Sequence, residues 1–204
     1  QDYSCARSAK NKLVAVVSDG AGSAKHSKIG AKIICETLCD LLINSDIKTI
    51  HDDVIKAIGV ARQKLLFHRL NKTKNKQSLI NFSATLVGFF YCKNQGIFFH
   101  IGDGAGIAFK EGEYNHFVIS EPENGAFSCE TYFYTMDDWQ ESLRFTNFEN
   151  VNRVMLMTDG VTGFVFSGDF YKIHRNFLVP IVEYLESETR KTYAVEALCN
   201  TLNN

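Results

Sequence analysis

Residues 13–22 read Leu-Val-Ala-Val-Val-Ser-Asp-Gly-Ala-Gly, an apolar run that stops at Asp19 and is followed by glycine. Two further apolar runs stop in the same way, one at Asp103 and one at Asp159, each beside glycine. Each run predicts a buried strand, and the glycine permits the turn that follows it. Carboxylates at strand ends supply the oxygen ligands that hard divalent cations prefer. The pattern therefore predicts metal-assisted chemistry, and we expect it to act on a phosphate.

The composition is that of a globular chain. Of 204 residues, 45% are hydrophobic and 22% charged, and the formal net charge is -1. This length suits one well-buried domain, which we predict over residues 1–204. The charge provides no overall field that would attract nucleic acid or an anionic membrane. No apolar stretch reaches about 18 residues, so we expect no membrane span.

The hydrophobic periodicity predicts a mixed α+β fold. A strand comes first, two helices follow, then several strands, and helices close the chain. This order favours helices packed on antiparallel sheets over alternating βαβ units, and two stacked sheets would accommodate the strands. Helices are predicted over residues 23–43, 54–70, 177–185 and 192–202. Strands are predicted over residues 13–18, 83–91, 96–101, 106–109, 116–119, 127–135, 142–146 and 154–158, with hairpin turns at 93–96 and 111–113.

The cysteines give no sign of a zinc site or of a disulfide framework. There are six of them: Cys5, Cys35, Cys39, Cys92, Cys129 and Cys199. None forms a C-x-x-C pair, although Cys35 and Cys39 share a helix face. We therefore expect reduced, mostly buried thiols in a cytoplasmic protein.

Four motifs in order resemble the metal-dependent protein phosphatases of the PP2C type, in the compact form common in bacteria. Gln1-Asp2 is similar to the end of that family's first acidic motif, and residues 17–23 to its D-G-x-G block. Residues 83–87 and 101–104 resemble its paired central strands, and residues 155–161 its second D-G block. The resemblance implies an α-β-β-α sandwich, with two antiparallel sheets flanked by helices. It also implies that short segments are missing at both ends of the sequence.

The resemblance assigns metal-binding roles residue by residue. Asp19 would bridge two Mn²⁺ or Mg²⁺ ions, one of which the Gly20 carbonyl would also bind. Asp159 would bind the other ion, and Asp2 would hold a metal-bound water. Asp103 matches a position linked to an optional third ion. Asp19 and Asp159 would thus be the catalytic carboxylates.

The implied reaction is hydrolysis of phosphoserine or phosphothreonine on proteins. A hydroxide bridging the two ions would attack phosphorus in line, without a cysteine or serine nucleophile. The implied partners are a phosphorylated protein and a cognate serine/threonine kinase, and we expect a monomer that binds neither nucleic acid nor a membrane.

Three departures from the family pattern keep other functions open. Ala21 replaces a histidine that some members use as a proton donor, so water or another residue would protonate the leaving group. Residues 194–204 contain no aspartate, and Asp169 comes too soon after Asp159 to serve as the final acidic ligand. No arginine precedes the first motif, and Arg7 is better interpreted as a surface residue. The alternatives are a catalytically impaired PP2C-like binding or regulatory module, and a phosphatase for a small phosphorylated metabolite.

Overall fold

The computed structural model describes residues 1–72, 79–110, 116–123, 131–167, 169–187 and 193. The chain forms two compact units, Gln1–Gly160 and Val161–Asn204. The single domain expected over residues 1–204 stays a prediction.

The first unit consists mainly of antiparallel strands and two long helices. Its described elements are β1 (Tyr3–Ala9), β2 (Lys12–Ser18), α1 (Ser27–Leu42), α2 (Ile50–Lys72), a 3₁₀ turn (Leu79–Phe82), β3 (Leu86–Cys92), β4 (Gln95–Ile101), β5 (Ala105–Lys110), β6 (Phe117–Ser120), β7 (Arg144–Glu149) and β8 (Val151–Met157). Helix α3 (Asp159–Val165) follows β8 directly and crosses the boundary between the units.

Two antiparallel sheets organise this unit, as the sequence predicts. The larger has the strand order β1-β2-β3-β4-β7, and the smaller has the order β6-β5-β8. Alternate side chains of the central strands enter two different cores. Phe90 and Phe99 pack with α1 and α2 in one core, whereas Phe89 and Phe98 pack against β5 residue Ala108 in the other. Burial on both faces explains why these strands are apolar almost throughout.

Most predicted elements are confirmed, with shifted ends. The hairpin at residues 93–96 is a two-residue turn in which Lys93 and Asn94 have φ of 52° and 67°, as the right-handed twist of a hairpin favours. The strand predicted over residues 127–135 is wrong in its described part, because residues 131–135 form one isolated bridge position and a turn. The predicted turn at 111–113 lies outside the described residues, as does the predicted helix over 192–202 except for Tyr193.

Strand β1 is absent from the sequence-based prediction. Its residues after Cys5 are all exposed, so no alternation of apolar side chains marks it. It forms nonetheless because all seven of its residues pair with β2 at the edge of the sheet. This strand carries the first acidic motif into the site.

Among its described residues, the second unit has most of α3, a short antiparallel strand pair and one further helix. Strands β9 (Phe166–Ser167) and β10 (Asp169–Ile173) pair, and α4 (Arg175–Ser187) follows them. The helix predicted over residues 177–185 is therefore confirmed within α4. Inside this unit the Phe164 and Phe177 rings stack with centroids 5.7 Å apart.

Candidate active site

The topology brings the aspartate motifs to one end of the stacked sheets. Strands β2 and β4 both run antiparallel to β3, so their carboxyl ends, which precede Asp19 and Asp103, lie at the same edge. Tyr3 pairs with Ser18, which places Asp2 beside the end of β2. The end of β8 pairs with Ala105 at the start of β5, which brings Asp159 toward the Asp103 turn.

Backbone and hydroxyl contacts anchor Asp19 at the end of β2. Its amide donates to Thr85 Oγ1 at 3.0 Å, and its carbonyl accepts from the Thr85 amide at 2.9 Å. The Ser18 hydroxyl donates to the Thr85 carbonyl at 2.5 Å. Thr85 is buried, so it supports the site from beneath. These bonds fix the direction in which the Asp19 side chain leaves the strand.

The Asp19 carboxyl lies in the electrostatic field of three other carboxyls. Its pKa is raised to about 7, first by burial, next by a hydrogen bond with Asp2, and then by the charges of Asp2, Asp159 and Asp103. Burial and like charges both favour the neutral form of a carboxylic acid. A cation at this place would offset these effects and favour the charged form of Asp19.

The other carboxylates are each held by a hydroxyl or by a helix end. The Thr131 hydroxyl donates to Asp103 Oδ2 at 2.6 Å, and the Thr158 hydroxyl donates to Asp2 Oδ2 at 3.0 Å. Asp159 is the first residue of α3, where the helix dipole favours a negative charge. The sequence motifs assign no role to either threonine. Thr158 could have been noticed from its position beside Asp159, whereas nothing in the sequence pointed to Thr131.

Gly20 packs too tightly for any side chain. A Cβ there would lie 2.9 Å from two Ser27 atoms and 3.1 Å from the Gln1 carbonyl oxygen. Glycine thus permits the close approach of β2's end to the start of α1 and to the N-terminal residue. Ala21 occupies the position at which some family members carry a histidine, and the next histidine in the sequence, His26, precedes α1 and is half-buried, with its ring centroid 5.5 Å from that of Phe82.

The described residues contain no group of three or more aspartate, glutamate, histidine or cysteine side chains arranged to hold a metal ion. The donor chemistry nevertheless fits a hard divalent cation, because the Asp19 carboxyl is hydrogen-bonded to Asp2 and lies in the field of the Asp103 and Asp159 carboxylates. The roles of Asp2, Asp19, Gly20, Asp103 and Asp159 as metal ligands stay predictions.

This stacked-sheet fold with a carboxylate cluster at one end is that of the metal-dependent phosphatases. The chain matches the family Protein phosphatase 2C over residues 1–203 and belongs to it. The family is one of metal-dependent serine/threonine phosphatases, which is the class that the sequence motifs predict.

Solved structures share the fold at low sequence identity. The serine/threonine phosphatase Stp1 from Staphylococcus aureus is 13% identical, with a TM-score of 0.64, over 98% of this chain and 82% of that one. The serine/threonine phosphatase of S. agalactiae is 11% identical, with a TM-score of 0.65, over 99% and 86%. The catalytic domain of PstP, solved with two manganese ions, is 13% identical, with a TM-score of 0.60, over 98% and 84%. No curated protein matches the chain in sequence.

Proposed function

We propose that this protein hydrolyses phosphoserine or phosphothreonine on proteins, using Mn²⁺ or Mg²⁺. One observation carries the proposal: the Asp19 carboxyl is hydrogen-bonded to Asp2 and lies in the field of Asp103 and Asp159. A divalent ion would replace the proton on Asp19 and offset the mutual repulsion of these carboxylates. Two manganese ions in the structure of PstP, a protein of the same fold, agree with this proposal.

In this proposal each carboxylate has a separate task. Asp19 would hold both ions, the Gly20 carbonyl would bind one ion and Asp159 the other, and Asp2 would hold a metal-bound water. Asp103 serves an optional third ion. When bound, the ions supply positive charge for the phosphoryl oxygens and lower the pKa of bound water.

The chain's own hydroxyls prepare this arrangement. Thr85 hydrogen-bonds to the Asp19 backbone. The Thr158 hydroxyl donates to an oxygen of Asp2, and the Thr131 hydroxyl donates to an oxygen of Asp103. A carboxylate oxygen that accepts such a bond is fixed in direction, which leaves its second oxygen to face a ligand. Ordering these side chains before the substrate binds lowers the entropic cost of reaching the transition state.

The test is phosphate release from phosphoserine and phosphothreonine peptides by the full chain with Mn²⁺. We expect release that stops when a chelator is added, and that is lost in Asp19→Asn and in Asp159→Asn. Asp138 is an exposed carboxylate, so Asp138→Asn makes the same chemical change at the surface. This variant serves as the matched control and should keep full activity. A folded protein that releases no phosphate with either metal would refute the proposal.

A second function is favoured by a specific observation, namely that no complete metal-binding group exists among the described residues. A catalytically impaired family member would bind a phosphorylated protein without hydrolysing it. Tight phosphopeptide binding without turnover would identify this function. Release from small phosphate esters alone would instead indicate a metabolite phosphatase.

The cognate kinase, the monomeric state and the cytoplasmic location stay predictions. Of the helices in the described residues, none combines the length and the apolar character that a membrane span requires.

A further inference from the structure

Strand β1 and helix α1 meet along a regular seam. The Tyr3 hydroxyl donates to Glu36 at 2.8 Å, and Arg7 Nε donates to Asp40 at 3.1 Å. The two contacts are four residues apart on the strand and four residues apart on the helix. Side chains on one face of a strand recur every second residue, which leaves Cys5 between Tyr3 and Arg7 on this face.

Two helix thiols point at the backbone of β1. Cys35 Sγ donates to the Tyr3 carbonyl at 3.4 Å, and Cys39 Sγ donates to the Cys5 carbonyl at 3.2 Å. Cys39 is also close enough to Cys5 for their thiols to hydrogen-bond, an interaction that Cys35 lacks. Cys39 is therefore the helix thiol that neighbours Cys5.

The environments of Cys5 and Cys39 differ sharply. Cys39 is fully buried, and burial raises the pKa of its thiol well above the ordinary value. Cys5 is only partly buried, and its sulfur accepts a hydrogen bond from Arg7 Nη1 at 3.1 Å. A neighbouring guanidinium and access to solvent are the features that make a cysteine reactive, because the thiolate is the attacking form. Cys5 is thus the thiol that meets an oxidant first.

We propose that Cys5 and Cys39 form an oxidisable thiol pair, a modification site outside the carboxylate cluster, whose oxidant is a hydroperoxide such as hydrogen peroxide. The Cys5 thiolate attacks one peroxide oxygen, breaks the O–O bond and becomes a sulfenic acid, while hydroxide leaves. The Cys39 thiol then attacks the sulfenic sulfur, forming the S–S bond and releasing water. Two thiols lose two electrons, and the hydroxide takes the proton that Cys5 had released.

The fold permits a disulfide bond between Cys5 and Cys39 but does not require it. A disulfide requires a sulfur separation of about 2.05 Å and closely spaced Cβ atoms. Among the described strands, β1 lies at the edge of its sheet and pairs with β2 alone, so it can make a small shift toward α1. Because Cys39 is protonated and shielded, formation of the bond should be slower than oxidation of Cys5, which leaves the sulfenic acid open to trapping.

The test uses the wild-type full chain, treated with chelator and then with a small excess of hydrogen peroxide. Digestion without reductant, followed by mass spectrometry, should yield a peptide pair linked through Cys5 and Cys39 that a thiol reductant separates. Recovery of Cys5 as an unmodified thiol would overturn the proposal, and so would a link from Cys5 to any other cysteine. This measurement needs no variant, so it does not depend on the folding of one.

Variants then test the assignment of each residue. Cys39→Ser should trap the sulfenic acid on Cys5, seen as a dimedone adduct, whereas the matched buried control Cys35→Ser should still form the disulfide. Arg7→Gln should slow the oxidation of Cys5 by about three- to tenfold, because the thiolate loses its cationic neighbour. Asp40→Asn removes the partner of Arg7 but keeps the guanidinium, so its oxidation rate should stay near that of the wild type. Equal rates in Arg7→Gln and wild type would remove Arg7 from the site.

Discussion

The Thr158 hydroxyl donates a hydrogen bond to Asp2 Oδ2 at 3.0 Å, which joins two residues 156 positions apart in sequence. The bond connects the residue just before β1 with the residue between β8 and α3. Because these two elements belong to different sheets, it links the larger and the smaller sheet at the carboxylate end of the fold. Asp2 is an exposed side chain, and this contact restrains its direction together with the hydrogen bond to Asp19.

Replacing Thr158 with valine should weaken Mn²⁺ binding without unfolding the protein. Valine keeps the shape but cannot donate, so Asp2 loses its orientation. A hydrogen bond to a charged group contributes about 1.5–3 kcal/mol, and exposure reduces this to about 1 kcal/mol, or roughly a fivefold change in affinity. Titration with Mn²⁺ by calorimetry would measure it. Thr158→Ser keeps the hydroxyl and should bind as the wild type does; equal weakening by serine would point to packing instead.

The raised pKa of Asp19 predicts an unusual pH dependence of stability in the chelated protein. The folded-state pKa is about 7, above the ordinary value of 3.8, so between these values the folded chain holds a proton that the unfolded chain has released. The free energy of unfolding should therefore fall as pH rises from about 4 to 7. A shift of this size corresponds to about 4 kcal/mol, which solvent screening reduces to about 1–2 kcal/mol.

Urea unfolding of wild type and Asp19→Asn, both with chelator, would measure this dependence. Asparagine carries no charge, so the variant should gain stability relative to wild type as pH rises from 5 to 7.5. Adding Mn²⁺ should reverse the order at pH 7.5, because only the wild type offers the carboxylate. A difference between the two proteins that does not change with pH would contradict the raised pKa.

Gly102 should tolerate no side chain. Its φ is +113°, and a Cβ would lie 2.8 Å from Thr85 Cγ2 and 3.1 Å from the Tyr132 carbonyl oxygen. Gly102→Ala should cost about 1–3 kcal/mol of stability, since both the backbone angle and the contacts are unfavourable. Gly22→Ala is the matched control, because nothing lies within 4 Å of its Cβ, and its midpoint in urea should change little. Similar costs at both positions would refute the steric argument.

The Tyr134 hydroxyl should contribute measurably to stability. It is fully buried and donates to the Gly30 carbonyl at 2.9 Å, which ties the segment before β7 to helix α1. Tyr134→Phe removes only this oxygen and should cost about 1 kcal/mol. Tyr184→Phe changes an exposed tyrosine and should stay within about 0.5 kcal/mol of wild type in the same urea assay. An unchanged free energy of unfolding in Tyr134→Phe would mean that the Gly30 carbonyl does not need this donor.

The elements that the sequence predicted are those whose pattern is local. Strands β2, β4 and β8 are apolar runs closed by aspartate and glycine, and α1 shows an amphipathic period. Strand β1 was missed, since most of its side chains are exposed and its pairing with β2 alone makes it a strand. Residues 131–135 belong to the strand that the sequence predicts over residues 127–135. They instead form a turn whose Tyr134 fills the core beside α1.

The sequence by itself determined the fold class and the identities of the aspartates, because periodicity and turn chemistry act between near neighbours. Only the tertiary structure decided which groups meet: Thr131 with Asp103, Thr158 with Asp2, and Cys39 with Cys5. These contacts depend on strand order, register and the seating of α1 on β1, which are set by burial over the whole domain. The raised pKa of Asp19 likewise arises only when the folded chain partly buries this carboxyl and brings the charges of the other aspartates near it.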